Sequence, residues 1–265
     1  MELMWRVIFL CLLMTSLRAI ELSQPVFEGV TFTVCKVDGR TDKLSLYLWD
    51  KEGKLYGDFD RLAKGLKRDG VTLGFAMNGG MFEATFMPVG LLISDSKQRG
   101  ALNLKTGKGN FFVKPNGVFA VVDGTFKIVA SEKWGAVTGA VQQATQSGPL
   151  LVQAGVINPV FTANSQSVFV RNAVGVSAAS GSQGASEMDG ANVAWLVISN
   201  QPVNFYRLAR FMKEKLGCSD ALYLDGAVSS IYAPALGRND SRFTLGPMIG
   251  VVATGGVSEI QVTTH

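Results

Sequence analysis

Asp225 stands at the end of an apolar run. Ala221 to Leu224 read as a buried strand, and Gly226, Ala227, Val228, Ser229 and Ser230 follow the acid. A carboxylate presented where a strand runs out into a glycine turn can serve as base or nucleophile. It can equally close the turn by accepting local N–H bonds. Three other stretches carry groups of the same kind. "FAMNGGMF" offers the amide of Asn78, donor and acceptor at once, beside Gly79 and Gly80, which let the chain turn sharply. "QSGPLLV" places the hydroxyl of Ser147 before Gly148 and Pro149, and "VRNAVGV" sets Arg171 and Asn172 in an apolar, strand-like context. A half-buried arginine needs an anionic partner, either a structural carboxylate such as Asp225 or the phosphate or carboxylate of a substrate. Glu83, Glu187 and Asp189 are further acids, read best as solvent-facing loop residues.

One absence narrows the chemistry. The chain has a single histidine, His265, its last residue. That argues against a Ser-His-Asp triad, a Cys-His pair and a histidine-rich zinc site. Rossmann, P-loop, CxxC and HExxH patterns are also absent. Carboxylates, amides, hydroxyls, Arg, Lys and Tyr are left to act. No cofactor is implied; a divalent cation on Asp225 stays open, although no cluster of ligands accompanies it.

The elements that must position these groups follow from periodicity. "VTFTVCKVD" and "KLSLYLWD" alternate like strands around the polar turn "GRTD", a hairpin signal. "FDRLAKGLKR" is a short amphipathic helix with Leu62, Ala63 and Leu66 on one face, and Gly70 stops it. "VTLGFAM" is a buried strand. Residues 88–153 alternate short apolar runs with turn signals such as "PNG" and "VDGT", the pattern of antiparallel sheet. Residues 178–192 are small, polar and glycine-rich, a loop and candidate lid. "NFYRLARFMKEKLG" is the clearest helix, with Asn204 as cap, one face of Phe205, Leu208, Ala209, Met212 and Leu216, and Gly217 as its stop. The two helix-then-strand segments share a plan: Arg-Leu-Ala opens the helix, and the strand ends at Asn78 or Asp225. Polar groups gather at such strand ends, so Asn78 and Asp225 are expected to face one cleft.

The ends and the composition bound the setting. Residues 1–19 contain Arg6, an apolar run from Val7 to Met14, and a polar stretch ending at Ala19. They read as a signal peptide, too short for a membrane span, followed by one domain over 20–265. The protein is therefore expected to be exported, periplasmic or secreted, with no stable membrane span after cleavage. Export leaves Cys35 and Cys218, which an oxidising compartment would allow to pair; the alternative is two buried thiols. The net charge of +4 falls to +3 without Glu2, Arg6 and Arg18. The basic residues are scattered, "KGLKR" reads as a solvated helix face, and no basic-aromatic stripe suggests nucleic acid.

Taken together, "AMNGGMF", "QSGPLLV", "RNAVGV" and "LYLDGAVSS" resemble the phosphodiester glycosidase family, in particular its bacterial, exported branch. The resemblance covers nearly all of the chain after residue 19. It implies an α+β fold, mixed but largely antiparallel sheet with a few helices in a single compact domain. It also implies hydrolysis of a sugar-1-phosphodiester. Asn78, Gly79 and Gly80 match the family's first pattern, with Met81 in place of an aromatic residue. Gly148 and Pro149 match the second, and Arg171, Ala173 and Gly175 the third. Asp225, Gly226 and Ser229 match the last, where Ala227 and Val228 replace two glycines and stiffen the loop. A phosphomonoester is a good leaving group, so one carboxylate at the anomeric carbon and one cation on the phosphate suffice. On this reading Asp225, Arg171 and Asn78 are catalytic. Gly79, Gly80, Ser147, Gly148, Asn172, Gly226, Ser229 and Ser230 bind the sugar-phosphate or glycan. Two rival readings use the same residues: a non-catalytic envelope module that binds anionic glycans, and a phosphodiesterase that cleaves P–O rather than C–O.

Overall fold

Alternating apolar residues build three sheets around a shared core. A computed structural model describes residues 20–177, 191–240, 242–253 and 262–263. Residues 1–19, expected from sequence to be a signal peptide, most of the glycine-rich stretch with Glu187 and Asp189, and His265 lie outside the described residues. The largest sheet has nine strands. Its centre runs Leu150–Gln153, Asp220–Tyr223, Asn172–Val176, Val193–Ser199 and Val30–Asp38, each antiparallel to the next. A five-stranded sheet runs Lys97–Gly100, Leu92–Ser94, Val141–Ser147, Gly117–Val122 and Thr125–Ala130. A second runs Arg238–Asn239, Ile231–Ala233, Thr72–Asn78, Met248–Ala253 and Lys43–Tyr47. The architecture is the largely antiparallel α+β domain expected. Among the described residues no helix is long and apolar enough to cross a membrane.

The two-residue period of a strand decides what faces where. In the nine-stranded sheet Cys35, Leu196, Val174 and Leu222 are successive cross-strand partners, and all four enter the central core. Leu46, Met77, Phe119 and Ile249 from the other two sheets meet them there. The next row, Val34, Val197, Ala173 and Tyr223, points to the outer face. The helix Phe205–Arg210 covers that face. Asn204 caps it by accepting from the Arg207 N–H at 2.9 Å, and Leu208 and Ala209 are buried beneath it. The helix widens into a π turn over Phe211–Lys215, which lets Phe211 stack on Phe32 with ring centroids 3.8 Å apart. The helix Phe59–Arg68, capped by Asp58, buries Phe59, Leu62 and Leu66 against the outer face of the Thr72–Asn78 sheet.

Two expectations are corrected. Val30–Asp38 and Lys43–Tyr47 do not form a hairpin; they lie in different sheets. Both strands send apolar residues into the central core, Cys35 and Val37 from one and Leu44 and Leu46 from the other. The turn between them therefore carries the chain from one layer to the next, with Asp38 holding Arg40 at 2.7 Å. Cys35 and Cys218 do not pair either; both are buried free thiols. Cys35 points into the central core, whereas Cys218 belongs to the outer cluster. A side chain on Gly175 would meet the Cys218 sulfur at 2.5 Å, so Cys218 lies on the opposite face from Cys35. Burial pushes both thiols up from their ordinary value.

Candidate functional site

Asp225 sits where the Asp220–Tyr223 strand leaves the nine-stranded sheet, and three side chains hold its backbone. The Asn172 Oδ1 accepts from the Asp225 N–H at 2.9 Å. The Asn78 Nδ2 donates to the Asp225 carbonyl at 2.8 Å, and the Ser229 hydroxyl donates to the same oxygen at 3.2 Å. Asn78 and Asn172 are tied to each other: the Asn172 Nδ2 reaches the Asn78 Oδ1 at 3.0 Å and its carbonyl at 2.8 Å. The Asn78 Oδ1 also accepts from the Ser230 N–H at 3.0 Å. Both asparagines are fully buried, so each amide group must be satisfied internally. The ends of the Thr72–Asn78 and Asp220–Tyr223 strands, which belong to different sheets, thus meet at one buried pair of amides.

The carboxylate itself is only partly buried. One oxygen accepts from the Ala227 N–H at 3.0 Å, the turn-closing bond that the sequence allows. Burial pushes the carboxyl up from 3.8 to about 6, against the lowering effect of that N–H. At neutral pH the group is mostly ionised, and its proton comes and goes just below neutrality, the range suited to general acid–base work.

Arg171 and Asn172 are sequence neighbours on opposite faces of the sheet. Asn172 turns inward to Asn78, and Arg171 turns outward toward Tyr223. The Arg171 side chain is 1% exposed. Its Nε donates to the Val203 carbonyl at 2.9 Å, and one terminal nitrogen donates to the Ser167 carbonyl at 3.0 Å and hydroxyl at 3.2 Å. The guanidinium lies 3.7 Å from the centroid of the Phe205 ring. It also lies 5.5 Å from the centroid of the Tyr223 ring, and the Tyr223 hydroxyl accepts a close bond from the Gly226 N–H. Burial lowers the guanidinium from its ordinary value, and Tyr223 partly offsets this. No carboxylate among the described residues lies within ion-pair distance of it. Asp225, the structural partner expected from sequence, is not within ion-pair distance of it.

Tyr223 is the residue that sequence reading missed. It reads as one more apolar position of the strand "ALYL". Its signal is parity: two residues before Asp225, it must face the same way as Ala173 and hence Arg171. It also changes the role of Gly226. A side chain there would collide with the Tyr223 hydroxyl, so the glycine makes room for a group below it rather than for a ligand above.

The remaining candidates divide. Ser147 donates to the Leu224 carbonyl, and Ser229 donates also to the Val170 carbonyl at 3.0 Å, so both brace the Asp225 loop. Ser230 turns to the Val228 carbonyl at 2.7 Å. Gly79 is fixed by its N–H to Pro247 at 2.7 Å and by Thr145 on its carbonyl at 2.8 Å. Gly80 packs against Thr145, and Gly148 against Asn116, each in a buried junction. Glu83 is exposed in a turn with Phe86 and Met87. Among the described residues no three His, Cys, Asp or Glu side chains gather as a metal site.

The fold and this strand-end cluster define an α+β protein whose buried polar side chains converge on the backbone of Asp225. Residues 72–252 match the phosphodiester glycosidase family. The chain belongs to that family. It is similar to the uncharacterized protein YigE of Escherichia coli K12, with 33% identity over 250 residues, 94% of this chain and 93% of that protein. Among solved structures it is similar to the catalytic domain of zebrafish N-acetylglucosamine-1-phosphodiester alpha-N-acetylglucosaminidase, auto-inhibited by its pro-peptide. That match has a TM-score of 0.54 and 18% identity, covering 89% of this chain and 82% of that one. A hypothetical protein from Synechocystis matches with a TM-score of 0.50 and 14% identity over 90% of this chain and 61% of its own. At these identities the two structures support the fold alone.

Proposed function

We propose that this protein is an exported hydrolase that cleaves the C–O bond of a sugar-1-phosphodiester, with Asp225 acting at the anomeric carbon. One observation carries the reading. A partly exposed carboxylate is held on a backbone pinned by Asn78, Asn172 and Ser229, with a proton affinity near neutrality and its second oxygen without a hydrogen-bond partner among the described residues. Such rigidity keeps an acid within the small tolerance that catalysis demands. A phosphomonoester leaves without strong protonation, so a lone carboxylate is enough. The ionised Asp225 works on the anomeric carbon, water supplies the new hydroxyl of the sugar, and the phosphomonoester departs with the bonding electrons. Arg171 takes a different part from the phosphate contact expected from sequence. It packs against the Tyr223 ring, and the Tyr223 hydroxyl accepts from the Gly226 N–H of the turn, so Arg171 is a positioning residue.

The test is sugar release from a panel of sugar-1-phosphodiesters in ¹⁸O-labelled water. The expected result is label in the sugar and a fall of a hundredfold or more in kcat for Asp225→Asn. The kcat/KM should also fall as pH drops through about 6, the range in which Asp225 takes up its proton. Label in the phosphate would identify P–O cleavage instead. Glycan binding without turnover, undiminished in Asp225→Asn, would favour a binding module.

A further inference from the structure

The helix Phe59–Arg68 has a second face that the proposed reaction does not use. Its buried side is spent on the Thr72–Asn78 sheet. Its outer side, with the loop at 50–56, walls a groove of about 660 Å³. Arg61, Lys64, Lys67 and Arg68 come from the helix and Lys54 from the loop. Arg61, Lys64 and Arg68 recur at helical spacing, so their charges line up along one wall. Tyr56 forms the floor. A side chain on Gly65 would meet its ring at 3.0 Å, so the missing side chain lets the ring lie close against the helix, and Tyr47 meets its edge at 6.4 Å.

The cations are largely uncompensated. Arg61 has Asp58 at 3.4 Å, and the lining acid Asp50 is occupied by the N–H groups of Glu52 and Lys54. Asp69 is taken by Lys51 at 2.7 Å. Lys54, Lys64, Lys67 and Arg68 have no ion-pair partner among the described residues. The N-terminus of the same helix lies near the Asp225 loop. At the helix N-terminus Asp60 accepts from Asn239 at 2.8 Å, and Phe59 lies 6.2 Å from Tyr232, two residues beyond Ser230. Val228 of the Asp225 loop packs into the same apolar cluster. From there the helix runs for ten residues, about 15 Å.

Three unpaired cations along the helix wall, a fourth on the facing loop and a lining aromatic ring suit a chain that alternates phosphates with sugar rings. None of the large exposed apolar residues lines this groove, so it offers nothing to insert into a lipid surface. We propose that the groove is a second binding site, holding the phosphate-bearing glycan chain of a polymeric substrate whose scissile unit reaches Asp225. This rests on the hydrolase reading and makes it one of chain processing.

The experiment compares the wild type with Lys64→Glu/Arg68→Glu. One probe is a fluorescein-labelled chain of hexose-1-phosphate repeats, followed by anisotropy at low and high salt. The other is a monomeric sugar-1-phosphate methyl diester, followed by turnover. The expected result is a tenfold or greater rise in Kd for the chain, a wild-type affinity that weakens with salt, and unchanged turnover of the monomer. Both substituted residues are exposed, so the thermal midpoint should hold. Equal chain affinity in the two proteins overturns the proposal. So does a variant that loses binding only to vesicles of phosphatidylglycerol and phosphatidylcholine, which would mark a lipid surface. Groove-dependent chain binding without hydrolysis of any probe would retain the site and remove the hydrolase reading.

Discussion

Replacing Asp225 by Asn is expected to stabilise the fold at pH 8 while abolishing activity. Burial raises this carboxyl from 3.8 to about 6, so the folded protein holds the proton after the unfolded chain has released it. Between about pH 4 and pH 6 the folded state binds more protons, and the contribution of Asp225 to stability falls as pH rises. Above pH 6 the loss is complete. A shift of about two units corresponds to about 3 kcal/mol at 1.36 kcal/mol per unit. The side chain is partly exposed and solvent screens some of this, so about 1–3 kcal/mol is expected. Asn keeps an oxygen for the Ala227 N–H and carries no charge to bury. For a chain of this size the gain is about 2–10 °C in Tm. The assay is thermal unfolding of both proteins at pH 4 and pH 8. The variant should unfold later at pH 8, and the difference should shrink toward zero at pH 4. A constant difference, or a variant less stable at pH 8, would refute the assignment of a burial penalty to this carboxylate.

Three further outcomes follow from the same contacts. Gly226→Ala should lose most activity because its side chain meets the Tyr223 hydroxyl; Tyr223→Phe should recover part of that loss, and strict additivity in the double variant would exclude the clash. Asn78→Ala removes partners from the Asp225 carbonyl, the Ser230 N–H and the Asn172 amide at once, and should cost about 2–4 kcal/mol in urea unfolding; a loss under 1 kcal/mol would contradict the buried network. Residues 20–265 should show two thiols that react only after denaturation, and a reductant should leave Tm unchanged; a reductant-dependent Tm would mean that Cys35 and Cys218 pair after all.

Local chemistry made much of this protein legible in its sequence. Alternating apolar residues marked the strands, Asn204 and Gly217 bounded one helix, and the Asp-Gly turn at 123–124 joined Gly117–Val122 to Thr125–Ala130. The helix-then-strand echo paired Asn78 with Asp225, and the Asn78 amide does reach the Asp225 backbone carbonyl at 2.8 Å, although Asn78 is fully buried rather than facing a cleft. Each of these signals resides within a few residues of chain, where propensity and spacing act. Partners distant in sequence were a matter for tertiary structure. Val30–Asp38 and Lys43–Tyr47 have strand patterns whichever sheet they join, and the shared core sent them to different layers. The neighbours Arg171 and Asn172 look alike as polar residues in an apolar strand. Strand parity sends one to Tyr223 and Phe205 and the other to Asn78, which separates a buried cation from the amide that holds Asp225. Cys35 and Cys218 are separated in the same way, because a sheet between two sulfurs cannot be crossed by a bond.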